Sequence, residues 1–429
     1  MDQKRVDYLR GLLSSKRNRV NLRYKYYEMK QQIVYLRGAI PTEMTWMRST
    51  MSWCATAVDT LADRLKVRGF ENDVLGMSEI FEMNNADILY DSAIHGALVS
   101  SCDFIYISND EDGYPKLQVI PGFNATGVID TITSLLKEGY AILAVDELGT
   151  PTLEAYFLPG ETWYIEKGKP DRCVKNNVPY PLLVPVIYRP DAKRPFGHSK
   201  ISRACMDYTQ SAMRTLLRSE VAAEFYSFPQ KYVLGTDPDQ ERLEKWRATI
   251  SSMLEITKDG DGDKPTVGQF SQQSMTPYNE QLRMIAGQFA GATGLTLDDL
   301  GFSTDNPASA EAIKASHEHL RLDARKAQAG FSIAFKNAGY LACCLRENKG
   351  YPRSILRNTK VRWYPIFEPD ASMLSLIGDG VIKLNQGLPN YITARDLNDL
   401  TGLEGEEEET AFMQDLQALA DEEEDVPNE

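Results

Sequence analysis

Apolar residues in this chain recur at helical spacing up to about residue 100, at spacing two from Phe104 to Glu166, and at helical spacing again from Ser199. Chains that segregate helices and strands in this way fold as α+β, with helices laid against antiparallel sheets. The first helical stretch covers residues 3–37, a second about 50–66, and a third 78–100. The alternating part runs through Phe104–Ile107, Leu117–Ile120, Ala141–Val145, Leu153–Phe157 and Thr162–Glu166. Asn, Asp, Gly and Pro turns separate these pieces, which predicts an antiparallel meander.

From Ser199 to about Ser227 one face carries Ile201, Cys205, Tyr208, Ala212, Leu216, Ala223 and Tyr226. A second carries Arg203, Asp207, Gln210, Arg214 and Arg218. Pro229 stops that helix. A short strand at Gln230–Gly235, a helix at Gln240–Leu254 and a tight Gly-Asp loop at 259–263 then form a small α/β module. A helix over 278–293 follows, closed by Gly294. Asn306 as N-cap and Pro307 at the first turn open the longest helix, which runs to about Glu347 with Gly330 and Gly339 as expected bends. About forty helical residues span about 60 Å, a length that suits an elongated or ring-forming subunit.

The chain is 42% hydrophobic and 25% charged, which is enough apolar mass for two or three cores. It has no run of about 18 apolar residues and no apolar leader, so neither a transmembrane helix nor a secretory signal is expected. The six cysteines include no CxxC pair, which points away from zinc and from a disulfide framework. The net charge of −14 is concentrated at one end: residues 404–429 hold twelve Asp and Glu and no Lys or Arg, leaving a net of −2 for the rest. The first 40 residues carry ten bases against three acids. There Tyr24, Tyr26, Tyr27 and Tyr35 interleave with Arg23, Lys25, Lys30 and Arg37. The pattern suits either stacking on nucleic acid or an amphipathic helix whose tyrosines pack inward.

Motifs for catalysis are missing. Gly168-Lys169 is followed by Pro170, so there is no phosphate-cradling loop, and GxGxxG and HExxH are absent. His317 and His319 lie two apart, on different faces of a helix. Asp259, Asp261 and Asp263 imitate the start of a calcium loop, but Lys264 stands where Gly is needed and Phe270 where Glu is needed. No catalytic residue, metal site or cofactor is expected.

An ordered set of segments resembles the portal proteins of long-tailed phages. It begins with the basic helix, Tyr26-Tyr27 and Leu36-Arg37-Gly38, then Trp53, the run Ala57–Leu65 and Gly69-Phe70. It continues with Pro185-Val186-Ile187, Gly197-His198-Ser199-Lys200-Ile201-Ser202, Ala222–Ser227, Pro229-Gln230 and Val233-Leu234-Gly235. It closes with Thr293-Gly294-Leu295, Leu300-Gly301 and Asn306–Ile313. The set covers about residues 20–370.

The resemblance implies an α+β, elongated subunit of a homo-oligomeric ring, usually of twelve copies, with heterologous contacts between neighbours. It divides the chain into N-terminal helices and an α+β wing (1–198), a first stem helix (199–227), a clip (228–277) and a second stem helix (278–293). A tunnel loop (294–306), a long wing helix with its following strand (307–369), a short helical crown (370–402) and an acidic tail (403–429) follow. By composition the tail is expected to be disordered.

Double-stranded DNA is then expected to pass without being read, with Ser303, Thr304, Asp305 and Asn306 facing it. Those residues are small, polar or acidic, and a channel that must not grip is better without bases. Arg203, Arg214 and Arg218 face either DNA or acids of the next subunit. Tyr232, Trp246 and Phe270 lie in the clip, which meets the terminase and later the head–tail adaptor. Major capsid and scaffold proteins are further expected partners, the virion vertex is the expected location, and assembly is expected in the host cytoplasm. A minor head protein, or a nucleic-acid-processing enzyme, is the alternative.

Overall fold

The computed structural model describes residues 2–34, 48–227, 231–234, 266–269, 274–302, 315–367, 369, 371–388 and 391–403. The chain forms two units. One comprises Met1–Tyr27, Thr56–Ser202 and Ala310–Glu429, and the other Glu28–Ala55 and Arg203–Ser309. The helix expected at 240–254, the loop at 259–263, the Asn306-Pro307 cap and the acidic tail lie outside the described residues.

Helix α1 (Gln3–Tyr27) ends well short of residue 37, where Met29 takes the left-handed φ of 57° and a turn replaces the helix. Helix α2 (Trp53–Ala62) leads into strand β1 (Val67–Glu71). Two helices, α3 (Met77–Met83) and α4 (Ala86–Ser100), stand where the spacing predicts one. Asn84 and Asn85 are the cause. Asn85 sits at φ 54°. The Asn84 amide donates to the Ile80 and Pro115 carbonyls, and its oxygen accepts from the Leu117 N–H. A side chain that caps a helix and holds a strand competes with the next helical turn and wins.

Eight strands follow: β2 (Cys102–Asn109), β3 (Pro115–Ile120), β4 (Ala125–Ile129), β5 (Leu136–Val145), β6 (Pro151–Leu158), β7 (Glu161–Glu166), β8 (Arg172–Lys175) and β9 (Leu183–Ile187). The sheet of order β4-β5-β6-β7-β8 contains only three strands of the expected meander, β5 to β7, with a strand on each side; β2 and β3, expected in the same meander, pair instead with β9 in a second sheet of order β3-β2-β9. All these pairs are antiparallel. Strands β2 and β9 do not alternate, because both of their faces are covered: Cys102–Ile107 and every residue of β9 are buried.

The chain then runs through α5 (Arg203–Ser227), β10 (Lys231–Leu234), β11 (Thr266–Gln269) and α6 (Thr276–Thr293). Gly294 closes α6 at φ 74°, the left-handed cap expected of it. Helix α7 (Glu318–Arg346), strand β12 (Lys360–Trp363), α8 (Ala371–Gly387) and α9 (Ala394–Thr401) complete the described chain. Thr393 and Asp396 form a capping box at the start of α9.

In the first unit α4 and α7 pack on the three-stranded sheet and α1 on the meander. Val6, Leu9 and Leu13 of α1 bury against Tyr140, Ile142 and Tyr156. Arg5 and Arg10 reach over the same sheet to pair with Glu138 and Glu154. Part of the basic start is therefore neutralised inside the unit. A cluster of rings, Phe70, Phe81, Tyr90, Phe335 and Trp363, joins β1, α3, α4, α7 and β12.

Helix α7 runs through Gly330 and Gly339 without a break, so neither ends a helical segment. Gly339 is also required by packing: a Cβ there would stand 2.7 Å from the Met77 sulfur. Among the described residues no helix is long and apolar enough to cross a membrane.

Candidate functional site

The second unit is built on α5 and α6, which pack against each other. Helix α5 buries Cys205, Thr209, Ala212, Met213 and Leu217, and α6 buries Ile285, Ala286, Phe289, Ala290 and Thr293. Steps of three, four and eight put each set on one side of its helix. Trp53 closes the end of this core, with its ring 5.4 Å from that of Phe289 and 6.4 Å from that of Phe302. Strands β10 and β11 pair antiparallel, Lys231 with Gln269 through to Leu234 with Thr266, between the two helices in the chain order.

The stripe Arg203–Asp207–Gln210–Arg214–Arg218 is less uniform than its spacing suggests. Gln210 is 6% exposed. Its amide donates to the Gln32 carbonyl at 2.9 Å and accepts from the Val34 N–H at 3.0 Å. Gln31 adds a contact to the Met213 sulfur at 3.4 Å. A buried glutamine that satisfies two backbone groups of an irregular segment is a structural clamp. Of the three arginines, Arg203 is exposed at the start of α5, and Arg214 and Arg218 are half-buried. Arg214 donates to the Ser211 hydroxyl at 2.9 Å. Among the described residues neither Arg203 nor Arg218 has a hydrogen bond or ion pair within the chain.

Tyr232 lies on β10, paired in register with Gly268. Trp246, Phe270 and the four residues Ser303, Thr304, Asp305 and Asn306 lie outside the described residues. The outward side of α6 carries Glu280, Arg283, Met284, Gly287, Gln288 and Gly291. A Cβ at Gly287 or Gly291 would meet nothing within 4 Å. Exposed side chains on the two helices thus mix signs and sizes without a basic track.

The tyrosines of the first helix do not form a stacking platform. Tyr24 meets Phe123 edge-on at 5.6 Å, and Tyr26 is buried. Tyr27 meets His95 at 4.7 Å and donates to Asp59 at 3.0 Å. Tyr35 lies outside the described residues.

The segment Gly197–Ser202 is a junction in the first unit. Gly197 takes φ 73°, and a Cβ there would stand 2.1 Å from the Tyr188 carbonyl. His198 meets Asp191 at 2.6 Å, and the Ser199 hydroxyl donates to the Val99 carbonyl at 2.6 Å. Lys200, its side chain 4% exposed, donates to Asp323 of α7 at 2.6 Å, where the Tyr188 hydroxyl also donates at 2.9 Å. Sequence spacing gave no sign of this cluster, because its partner lies 123 residues away.

A second group that spacing missed is Asp103, fully enclosed beside Gly96. It accepts from the Ser100 hydroxyl at 2.6 Å and the Gly122 N–H at 2.9 Å. Burial pushes its carboxyl up to about 7 against the pull of those two hydrogen bonds. A raised carboxyl in a structural niche is not by itself a catalytic one. Among the described residues no three His, Cys, Asp or Glu side chains come together as a metal site.

No family profile matches the chain. The portal proteins of Mycobacterium phage L5 and Mycobacterium phage D29 are each 26% identical to it over 388 residues, covering 84% of this chain and 77% of theirs. Among solved structures, the chain is similar to one in the neck of a native gene transfer agent particle computed with C12 symmetry. Identity there is 14% and the TM-score 0.42, over 82% of this chain and 90% of that one. A chain of the virion of the native particle gives 14% and 0.43, over 90% and 99%. The similarity to the two mycobacteriophage portal proteins runs along most of both chains.

Proposed function

We propose that the chain is a portal protein, the ring subunit at one vertex of a phage capsid through which double-stranded DNA enters and leaves. The observation that carries this reading is the extent of the match: 26% identity spread over 84% of the chain, a span that takes in both units and not one shared motif. The helix pair α5 and α6, with a strand pair between them in the chain, supports the assignment of stem and clip. In this reading 199–227 and 278–293 are stem, 228–277 is the clip that meets terminase and adaptor, and 294–306 is the tunnel loop. The mixed charge of α5 and α6 fits a wall along which DNA slides, since each added Lys–phosphate or Arg–phosphate contact would hold it in place. The role is structural and the location is the virion.

Negative-stain microscopy of the purified chain, with mass measurement alongside, tests the reading. Rings with an axial hole and about a dozen subunits are expected, as for a closed heterologous interface. A compact dimer with two-fold symmetry would overturn the reading, because an isologous contact uses up the surface a ring needs.

A further inference from the structure

One flank of α1 carries bases that the fold holds in place and does not neutralise. Lys16, Arg19 and Arg23 follow one another at steps of three and four, beside the stripe that buries Leu9, Leu13 and Val20. Arg194, from the segment between β9 and α5, joins them. Lys16 lies 4.2 Å over the Phe196 ring and donates to the Thr126 hydroxyl at 3.1 Å. Arg23 donates to the Ser100 carbonyl at 2.6 Å. The Arg194 guanidinium lies 3.4 Å from Nδ1 of His198. Arg19 and Arg194 are exposed, and Lys16 and Arg23 are half-buried.

These charges bear on one another. Burial, and then the charges of Arg19 and Arg194, push the Arg23 guanidinium down to about 10. Burial also lowers the Lys16 ammonium, and Arg19 adds to that while Cys102 opposes it. Among the described residues none of the four side chains pairs with a carboxylate, unlike Arg5 and Arg10 on the same helix. Acids close in the chain are engaged elsewhere. Asp191 accepts from the Arg194 N–H and meets His198, both at 2.6 Å, and Asp103 is enclosed by Ser100 and Gly122. The basic run ends one turn further along α1, where Tyr27 donates to Asp59. Like charges gathered without a counter-charge repel, so an anion that reaches them is held by all four.

The surface suits a phosphate backbone and not bases. The rings beside it are engaged: Tyr24 with Phe123, Tyr27 with His95, and Phe196 under Lys16, while Tyr26 is buried. Single strands are held by stacking on open rings, which this flank does not offer. A duplex presents its charge on the outside, one phosphate per about 3.4 Å along each strand. From Lys16 to Arg23 the helix advances about 10 Å at 1.5 Å per residue, so its bases run along about three such steps.

We propose that Arg19 and Arg194, backed by the fixed charges of Lys16 and Arg23, form a phosphate-binding surface for double-stranded DNA on the first unit, separate from the unit built on α5 and α6. The proposal rests on the portal reading for its occupant and on the side-chain geometry for its place. The α5 and α6 wall lets DNA slide, and this surface holds it, because phosphate contacts fix position without reading sequence.

Fluorescence anisotropy of a labelled duplex of mixed sequence, titrated with the full-length chain across a salt series, tests it. Arg19→Gln with Arg194→Gln should flatten the log–log salt dependence by about 1.8, or about 0.9 per contact, and weaken binding by about tenfold per contact at about 0.1 M salt. Lys167→Gln with Lys169→Gln removes the same charge from bases that already face Asp146 and Glu166, and should leave the slope as it is. A slope unaltered by the arginine pair, or lowered equally by the lysine pair, overturns the proposal, as does a parent chain that does not bind the duplex. Polyglutamate bound as tightly as the duplex would make this a docking surface for an acidic protein and overturn the assignment to DNA. Loss of rings with the slope unchanged would do so too, since a second copy would then be the occupant. Negative-stain images keep the two readings apart: a two-fold dimer ends the portal reading, whereas intact rings with an unaltered slope end this proposal alone. Both arginines are exposed, so an unchanged circular dichroism spectrum is expected of the variant.

Discussion

At the scale of single residues, two positions carry more than their side chains suggest. Asp103 is fully buried, and burial raises its carboxyl to about 7, whereas an unfolded aspartate titrates near 3.9. Between those values the folded chain holds a proton that the unfolded chain has lost. Stability therefore falls as pH rises from about 4 to about 7 and levels off above that. Asp103→Asn keeps an acceptor for the Gly122 N–H and does not ionise. Urea unfolding followed across that range should show a shallower decline for the variant, and a decline equal to that of the parent chain would contradict the assignment. Gly197 is constrained by backbone and not by charge. Its φ of 73° and the Tyr188 carbonyl 2.1 Å from a built Cβ leave no room for alanine. Gly197→Ala should cost about 3 kcal/mol, the sum of a left-handed backbone and local overpacking, read as a lower urea midpoint. The same residue opens the segment Gly197–Ser202 by which the sequence resembles portal proteins. That resemblance rests here on backbone geometry, with no reactive group involved.

At the scale of elements, the join between that segment and α7 is an ion pair drawn out of water. Lys200 and Asp323 are 4% and 15% exposed, and the Tyr188 hydroxyl shares the carboxylate. Asp323→Ala removes the carboxylate that the buried Lys200 ammonium and the Tyr188 hydroxyl share and should lower stability by about 3–5 kcal/mol. Replacing both partners by apolar residues, Lys200→Met with Asp323→Leu, should recover more than half of the loss, because the uncompensated charge is then gone. Equal losses in the two variants would mean that packing of the junction matters and the charge pair does not. Such joins explain what the sequence could and could not tell. Element types were legible where one face of a periodic segment meets water, as in α5, α6 and β3, where buried and exposed residues alternate from Pro115 to Gln118. They were illegible in β9, whose residues are all buried and show no alternation. The break between α3 and α4 was hidden too, since Asn84 acts through contacts with Pro115 and Leu117 that spacing within a helix cannot reveal.

At the scale of the molecule, charge was legible as an amount and not as a destination. The basic start looks like a surface for an acidic partner, yet Arg5 and Arg10 meet Glu138 and Glu154, more than 130 residues away. The stripe on α5 divides in the same way. Gln210 is spent inside the unit, whereas Arg203 and Arg218 make no bond there among the described residues. In a ring each can meet either an acid of the next copy or a DNA phosphate. The two destinations respond differently to charge reversal. An interfacial arginine turned to glutamate sets like charges against each other and weakens assembly. A phosphate contact turned to glutamate leaves the ring whole and removes part of the salt dependence of DNA binding, a log–log slope of about 0.9 for each contact. A wall along which DNA slides has no use for arginines that grip phosphates, so contacts between copies are the expected destination of these two. Arg203→Glu with Arg218→Glu should therefore shift mass photometry towards species smaller than the ring near physiological salt, with circular dichroism unchanged. Intact rings whose DNA binding loses salt dependence would instead place both arginines on the channel wall.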